Sequence, residues 1–163
     1  MLGAPSIARA ENCIALMWGS EDLAAMLGAA SSRGADGTLT GHAAFARNSV
    51  LYSAAASGRL AIDAVYLDIG DHAGVAREAR DAAESGFDVK AVIHPSHCAV
   101  VRSAFAPTPD QVSHARRVID AAATNEHGVF SLDGRQIDEP LVRQVRRILA
   151  RDAAAAVPRS APH

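Results

Sequence analysis

Short, continuously apolar segments alternate along the chain with longer segments whose apolar residues follow helical spacing. The run Cys13–Trp18 is too short for a helix and stops at Gly19, which is typical of a strand buried on both faces. Two further runs, Asp63–Ile69 and Val89–Ile93, have the same character. Strands buried on both faces occur in parallel sheets, so the pattern predicts a parallel sheet.

A helix is predicted after each of these strands. Ser20 can cap the first helix, which Gly28 ends, and a polar loop is predicted over Ser31–Gly37. Three strand and helix units in succession, joined by short turns, predict right-handed βα connections on one sheet, so the fold class is α/β. The later helices are predicted over Gly41–Ser57, Gly74–Ser85 and Ser96–Phe105.

The pattern changes after Pro107. An Asp-Gly pair, Asp133 and Gly134, lies between apolar residues within Val129–Ile137, which predicts a hairpin with a two-residue turn. Amphipathic helices are predicted before and after this hairpin, and an Ala-rich end without bulky side chains predicts a disordered tail. The helices span Asp110–Ala123 and Pro140–Arg151, and the predicted domains are 1–106, 107–152 and a tail over 153–163.

Composition narrows the class of protein. A length of 163 residues suits one domain, and a net charge of −2 without a basic stripe argues against a nucleic-acid partner. The apolar runs fall short of the roughly 20 residues of a membrane span, and the N-terminus does not resemble a signal peptide. We therefore expect a cytoplasmic protein with no membrane partner, in which Cys13 and Cys98 are thiols.

Candidate chemistry is concentrated where the predicted strands end, because ligands of parallel sheets bind at the carboxyl ends of the strands. Two pairs of carboxylates at one edge would suit Mg²⁺, which binds one or two carboxylates together with water and substrate oxygens. The residues that follow the three strands are Glu21 and Asp22, then Asp68 and Asp71, then His94, Ser96 and His97.

Each of these groups also has a purely structural interpretation. The helix dipole alone favours acidic residues in a first turn, as at Glu21 and Asp22, and Asp68 and Asp71 could serve as turn and cap residues. A zinc site would need side chains that converge, which neighbouring positions seldom do. The residues with zinc-like chemistry are His94, His97 and Cys98, and a basic cluster that suits a solvated helix face consists of Arg143, Arg146, Arg147 and Arg151.

Four segments, in this order, resemble the citrate lyase beta-subunit family, which includes malyl-CoA and citramalyl-CoA lyases within the HpcH/HpaI aldolase superfamily. They are Leu16–Gly28, Ser31–Gly37, Gly86–Ser96 and Phe130–Asp138. The resemblance covers about residues 8–152. It implies a Mg²⁺-dependent carbon–carbon lyase that joins or separates an acyl-CoA and a keto acid, with a (βα)8 barrel, a C-terminal lid and a homotrimeric assembly.

The resemblance also assigns this chain a part of that fold. It would form about the last three βα units of the barrel, followed by a lid extension of helices and a hairpin. Strands one to five, with a second metal-ligating Glu and a keto-acid-binding Arg, would precede Met1. A non-catalytic fragment or accessory subunit is the alternative function, and a CoA-binding module is a third.

Residue roles follow from the same resemblance. Asp22 would be a metal ligand, whereas His94, Pro95 and Ser96 would shape the CoA end of the pocket. Asp138 would lie on the lid and protonate the acyl-CoA enolate in the active site of a neighbouring subunit. An ordinary N-terminal cap of the following helix is the alternative role of Asp138.

Overall fold

The computed structural model describes residues 2–125 and 128–156. They divide into two compact units, Met1–Ala104 and Phe105–His163, which we describe separately. Within the described residues, no helix is both long enough and apolar enough to cross a membrane.

The first unit contains a three-stranded parallel sheet in the order β1, β2, β3, as the α/β prediction requires. Helices α3 and α4 pack on its strands. The strands are β1 (Ala15–Met17), β2 (Leu60–Asp63) and β3 (Val89–Lys90). The helices are α1 (Ala4–Ala8), α2 (Ser20–Met26), α3 (Gly41–Ala56), α4 (His72–Ser85) and α5 (Ser96–Phe105), the last of which crosses the boundary between the units.

One face of this sheet is buried and the other is open. Leu16 and Ala61, which pair across β1 and β2, are 6% and 2% exposed. Met17 and Leu60 point the other way because side chains alternate along a strand, and they are 57% and 49% exposed. The prediction of strands buried on both faces is therefore wrong for this unit, because the helices that pack on the sheet cover one face.

The second strand lies earlier in the chain than predicted. The predicted strand Asp63–Ile69 is wrong, since β2 ends at Asp63 and the apolar residues after it belong to a loop. The loop is held by hydrogen bonds, in which Tyr66 Oη donates to Asp71 Oδ2 at 2.7 Å and Asp68 Oδ1 accepts from two backbone N–H groups. Strand β3 is also shorter than predicted, because it ends at Lys90.

Both ends of α4 follow their sequence signals, whereas the predicted cap of α2 is wrong, because Gly19 is the N-cap residue and Ser20 is the first residue of that helix. Asp71 caps α4 by accepting from the backbone N–H of Gly74 at 2.8 Å, so the helix begins two residues before the predicted start. Gly86 ends it with a φ of 106°, a conformation that glycine adopts without strain.

The described part of the second unit contains two long helices and the hairpin. Helix α6 (Pro109–Ala123) begins with a capping box formed by Thr108 and Gln111. The hairpin prediction is confirmed, since Asp133 and Gly134 have φ values of 51° and 75°, the positive pair that a type I′ turn needs. The hairpin strands are β4 (Phe130–Leu132) and β5 (Arg135–Ile137), and the buried core consists of Ala115, Val118, Ile137, Val142 and Val145.

The last helix, α7 (Glu139–Ala156), extends beyond its predicted end at Arg151. Its final residues, Ala153–Ala156, continue the helix because alanine has the highest helix propensity. The predicted start of a disordered tail at Ala153 is therefore wrong. The rest of that predicted tail, residues 157–163, lies outside the described residues.

Candidate functional site

The turn between β1 and α2 carries the candidate metal ligand. Trp18 is buried and its Nε1 donates to Asp63 Oδ1 at 2.9 Å, which anchors the start of the turn. Asp22 folds back over Gly19, so a methyl group on Gly19 would lie 2.8 Å from Asp22 Oδ2. A side chain at position 19 would therefore require the Asp22 carboxylate to move.

The two carboxylates of this turn have different environments. Glu21 Oε1 accepts a hydrogen bond from Ser32 Oγ, whereas Asp22 is exposed and its carboxylate has no hydrogen-bond or ion-pair partner among residues 2–125 and 128–156. Both residues lie in the first turn of α2, where the helix dipole favours negative charge. Only the Asp22 carboxylate is free to bind a ligand without breaking an existing contact.

The second carboxylate pair has the structural role that the sequence left open. Asp71 caps α4, and its hydrogen bonds from Tyr66 and the backbone N–H of Gly74 lower the pKa of its carboxyl below the usual value. Asp68 accepts from the backbone N–H groups of Gly70 and Asp71 within the loop. These hydrogen bonds account for both carboxylates without a ligand.

The segment after β3 presents polar groups at the start of α5. His94 and Pro95 are exposed, and His94 Nδ1 accepts from the backbone N–H of Ser96 at 3.2 Å, with Ser96 Oγ 2.8 Å away. His97 is buried, and its Nε2 lies 3.1 Å from the carbonyl oxygen of Ile69, to which it can donate. No three His, Cys, Asp or Glu side chains converge on a metal-binding point in the described part of the chain, so zinc gains no support there.

A buried charged network at the strand ends was missed at the sequence level. Asp63 ends β2 and Lys90 ends β3, and Lys90 Nζ lies 3.2 Å from Asp63 Oδ2, 3.2 Å from Glu78 Oε2 and 2.7 Å from the Ala64 carbonyl oxygen. Arg47 Nε donates to Asp63 Oδ1 at 3.1 Å. The available signal in the sequence was a charged residue at or near the start of each apolar run, Asp63 in one and Lys90 in the other.

The charge balance of this network sets the pKa of Asp63. Burial raises the pKa of its carboxyl, but Lys90 and Arg47 nearby, with hydrogen bonds from Trp18 and Arg47, outweigh burial. The pKa of Asp63 therefore lies below its ordinary value of 3.8. A lowered pKa means that the folded chain favours the carboxylate form of Asp63.

Acid should destabilise the chain through this carboxyl. Because the folded-state pKa is lowered, the contribution of Asp63 is complete above the unfolded value near 3.8 and disappears as the pH falls through the lower folded value. We expect thermal unfolding temperatures to fall steeply below about pH 4, and Asp63→Asn to flatten this dependence. The exposed Asp120 provides the control, because Asp120→Asn should keep the wild-type pH dependence. An unchanged dependence in Asp63→Asn would contradict this assignment.

Asp138 lies in the second unit, between β5 and α7. Its Oδ1 accepts from the backbone N–H of Leu141 at 3.1 Å, and the residue is partly exposed. This is the geometry of an N-terminal cap, the alternative role that the sequence left open.

Comparison with known proteins identifies the family. The model of the HpcH/HpaI aldolase/citrate lyase family matches residues 1–95. The citrate lyase subunit beta-like protein of Mycobacterium tuberculosis H37Rv is 46% identical over 152 residues, covering 93% of this chain and 55% of that protein. Mitochondrial citramalyl-CoA lyase of Mus musculus is 40% identical over 140 residues, covering 83% of this chain and 39% of the enzyme.

A solved structure agrees with these matches. The Mycobacterium tuberculosis protein CitE, in complex with magnesium, acetoacetate and coenzyme A, superposes with a TM-score of 0.84 at 45% identity, covering 92% of this chain and 56% of that chain. The chain thus spans about half the length of the curated relatives it matches, in their C-terminal part. The resemblance inferred from the four segments is confirmed, and the chain belongs to the HpcH/HpaI aldolase/citrate lyase family.

Proposed function

We propose that this chain supplies the C-terminal part of a Mg²⁺-dependent carbon–carbon lyase, which cleaves a hydroxyacyl-CoA thioester into an acyl-CoA and a keto acid. The observation that carries the proposal is the free carboxylate of Asp22 at the end of a parallel strand, in a chain that superposes on a relative solved with magnesium, acetoacetate and coenzyme A. The sheet would form about the last three βα units of a (βα)8 barrel.

Asp22 would hold the Mg²⁺. An exposed carboxylate without a protein partner is the hard oxygen ligand that Mg²⁺ prefers, and Mg²⁺ binds through one or two such groups. When bound, the ion would act as a Lewis acid on the keto-acid oxygens. A second carboxylate would come from the part of the protein that the curated relatives have before their match to this chain.

His94, Pro95 and Ser96 would line the CoA end of the pocket. They follow β3, so they lie at the same end of the strands as the turn that carries Asp22. Nδ1 of His94 already accepts from Ser96, which leaves the other ring nitrogen of His94 to contact a polar group of CoA.

Asp138 would supply the proton that completes cleavage. When the carbon–carbon bond breaks, its electron pair passes to the α-carbon of the acyl-CoA, while the hydroxyl group becomes the keto-acid carbonyl and its proton passes to water. A protonated Asp138 would then protonate the α-carbon and become a carboxylate. We propose that this occurs in the active site of a neighbouring subunit within a cytoplasmic homotrimer.

A non-catalytic or accessory subunit is the second candidate function. The observation that favours it is the open sheet face, where Met17, Leu60 and Val89 are 57%, 49% and 43% exposed. Within residues 2–125 and 128–156, strands β1 and β3 each pair on one side only, so both sheet edges also have free backbone groups. A partner chain rich in βα units could cover this face and these edges. Such binding would not require the assembly to be catalytic.

Reconstitution distinguishes the two candidates. The chain would be mixed with the segment of the Mycobacterium tuberculosis relative that precedes the match, and citramalyl-CoA and malyl-CoA would be assayed for keto-acid release. We expect a complex whose turnover needs Mg²⁺. A stable complex without turnover would favour the accessory role, and the chain alone is the control.

Asp138→Ala should separate the cap role from the proton-donor role. Loss of a cap lowers the free energy of unfolding by about 1 kcal/mol. Loss of a proton donor lowers turnover by about 100-fold. We expect both effects in the reconstituted enzyme. Thr108→Ala is the matched control, because it removes the cap of α6 and should leave turnover unchanged.

The same variant tests whether the lid acts between subunits. Mixing inactive Asp138→Ala with inactive Asp22→Asn should restore part of the activity, because hybrid trimers would contain some sites with both intact residues. Full activity of Asp138→Ala alone would exclude the proton-donor role. Absence of recovery after demonstrated subunit exchange would place Asp138 in the site of its own subunit.

A further inference from the structure

Polar contacts and the backbone of the first unit together form a closed ring through the turn that carries Asp22, in which the backbone joins Ser32 to Arg33 and Trp18 to Glu21. It runs from Trp18 through Asp63, Lys90 and Glu78 to the loop after α2, and returns to Glu21 by way of Ser32. The links are Trp18 Nε1 to Asp63 Oδ1 at 2.9 Å, Asp63 Oδ2 to Lys90 Nζ at 3.2 Å, Lys90 Nζ to Glu78 Oε2 at 3.2 Å, Glu78 Oε1 to Arg33 Nη2, and Glu21 Oε1 to Ser32 Oγ.

The centre of the ring is largely shielded from water. The ring contains the carboxylates of Asp63, Glu78 and Glu21 and the cations of Lys90 and Arg33, and Lys90 lies between two of the carboxylates, Asp63 and Glu78. The side chains of Asp63 and Lys90 are 4% and 1% exposed, and Ser32 is fully buried. Interactions between buried charges are screened less by water, so the ring resists local opening more than a surface network would.

The loop that closes the ring is itself fixed. The carbonyl oxygen of Ser32 accepts from Thr40 N at 2.9 Å and from Thr40 Oγ1 at 3.0 Å. Arg33 Nη1 donates to the Gly37 carbonyl oxygen at 2.9 Å. The hydroxyl of Ser32 is therefore held in place where it donates to Glu21.

Asp22 lies inside the span that the ring fixes and takes no part in the ring. Trp18 anchors the chain four residues before Asp22, and Glu21 anchors it one residue before. We infer that the ring positions the Asp22 carboxylate for a divalent cation, with Ser32 as a positioning residue that acts through Glu21. This inference rests on the proposed role of Asp22 as a metal ligand.

Amide hydrogen exchange tests the positioning without a metal. The backbone N–H of Leu23 donates to the Gly19 carbonyl oxygen at 3.2 Å, so its exchange rate reports opening of the turn. Ser32→Ala should accelerate this exchange on the order of tenfold, as expected for the loss of one buried hydrogen bond. Ser53→Ala is the matched control, because it removes a buried hydroxyl of α3 that lies outside the ring.

Mn²⁺ then tests whether positioning affects cation binding. In the ¹⁵N-labelled chain, Mn²⁺ should broaden the amide signals around Asp22, and Asp22→Asn should abolish the broadening. Ser32→Ala should need about threefold or more Mn²⁺ for the same effect, since groups that orient a ligand typically change metal affinity by roughly 10- to 100-fold in complete sites. Ser53→Ala should match the wild type.

The two measurements separate failure of the inference from failure of the proposed function. Trp18→Phe breaks the ring at a second point. The inference would be overturned if the Leu23 amide exchanged at the wild-type rate in both Ser32→Ala and Trp18→Phe. The inference would also be overturned if the Leu23 amide of Ser32→Ala exchanged faster while Mn²⁺ broadened its signals as in the wild type. Undiminished broadening in Asp22→Asn would instead refute the metal role of Asp22, while faster Leu23 exchange would still support the ring as the support of the turn.

Discussion

Lys90→Met is expected to lower the free energy of unfolding by about 3 kcal/mol, because it removes the buried cation between Asp63 and Glu78 and leaves each carboxylate with one cationic partner fewer. Methionine has a similar length but cannot donate to Asp63, Glu78 or the Ala64 carbonyl oxygen. Urea denaturation of the chain, followed by circular dichroism, measures the change.

Arg77→Met is the control for the loss of a positive charge in the same unit. The Arg77 side chain is 67% exposed and lies 3.8 Å from Asp71, so its removal should cost about 1 kcal/mol or less. Equal losses in the two variants would show that the Lys90 network adds little stability. The double variant Asp63→Asn with Lys90→Met should lose less than the sum of the single variants, because the two groups interact directly.

Asp22→Asn is expected to lower Mg²⁺-dependent turnover of the reconstituted lyase on the order of 100-fold or more. Even residues that only orient metal ligands change affinity or activity by roughly 10- to 100-fold, and a ligand itself should matter at least as much. Keto-acid release at several Mg²⁺ concentrations measures the effect. Stability should change little, since Asp22 has no partner among the described residues to lose.

Asp110→Asn controls for the helix dipole in that experiment. Asp110 lies in the first turn of α6, so its substitution removes a carboxylate from the same kind of position. We expect turnover of Asp110→Asn to equal that of the wild type. If Asp22→Asn also had wild-type turnover, a favourable interaction with the helix dipole would be enough to explain an acidic residue at position 22.

Features set by local chemistry were predictable from sequence, as the hairpin and the helix ends illustrate. Asp133 and Gly134 specify their turn through their own φ angles, and Gly86 ends α4 in the same way. The position of strand β2 was predicted wrongly because strand pairing determines which residues form the strand. Leu60 pairs with Ala15, whereas the more apolar run after Asp63 has no strand partner. Apolar content alone cannot distinguish these two segments.

The candidate site was predictable only in part, for a similar reason. The sequence indicates two acidic residues after β1, but it does not show that Glu21 accepts a hydrogen bond from Ser32 while Asp22 does not. This hydrogen bond joins residues 11 positions apart. Asp63 and Lys90 are 27 positions apart and meet only because β2 and β3 pair in one register. Both pairs depend on tertiary structure, which hydrophobic periodicity does not reveal.

Burial of Lys90 also has a consequence for covalent modification. It is the sole lysine in the sequence, and its side chain is 1% exposed. Acylating reagents, like enzymes that acetylate or ubiquitinate lysine, therefore meet no accessible ε-amino group in the folded chain. Reaction at Lys90 requires the interior of the first unit to open, so its acylation rate would measure how often that opening occurs.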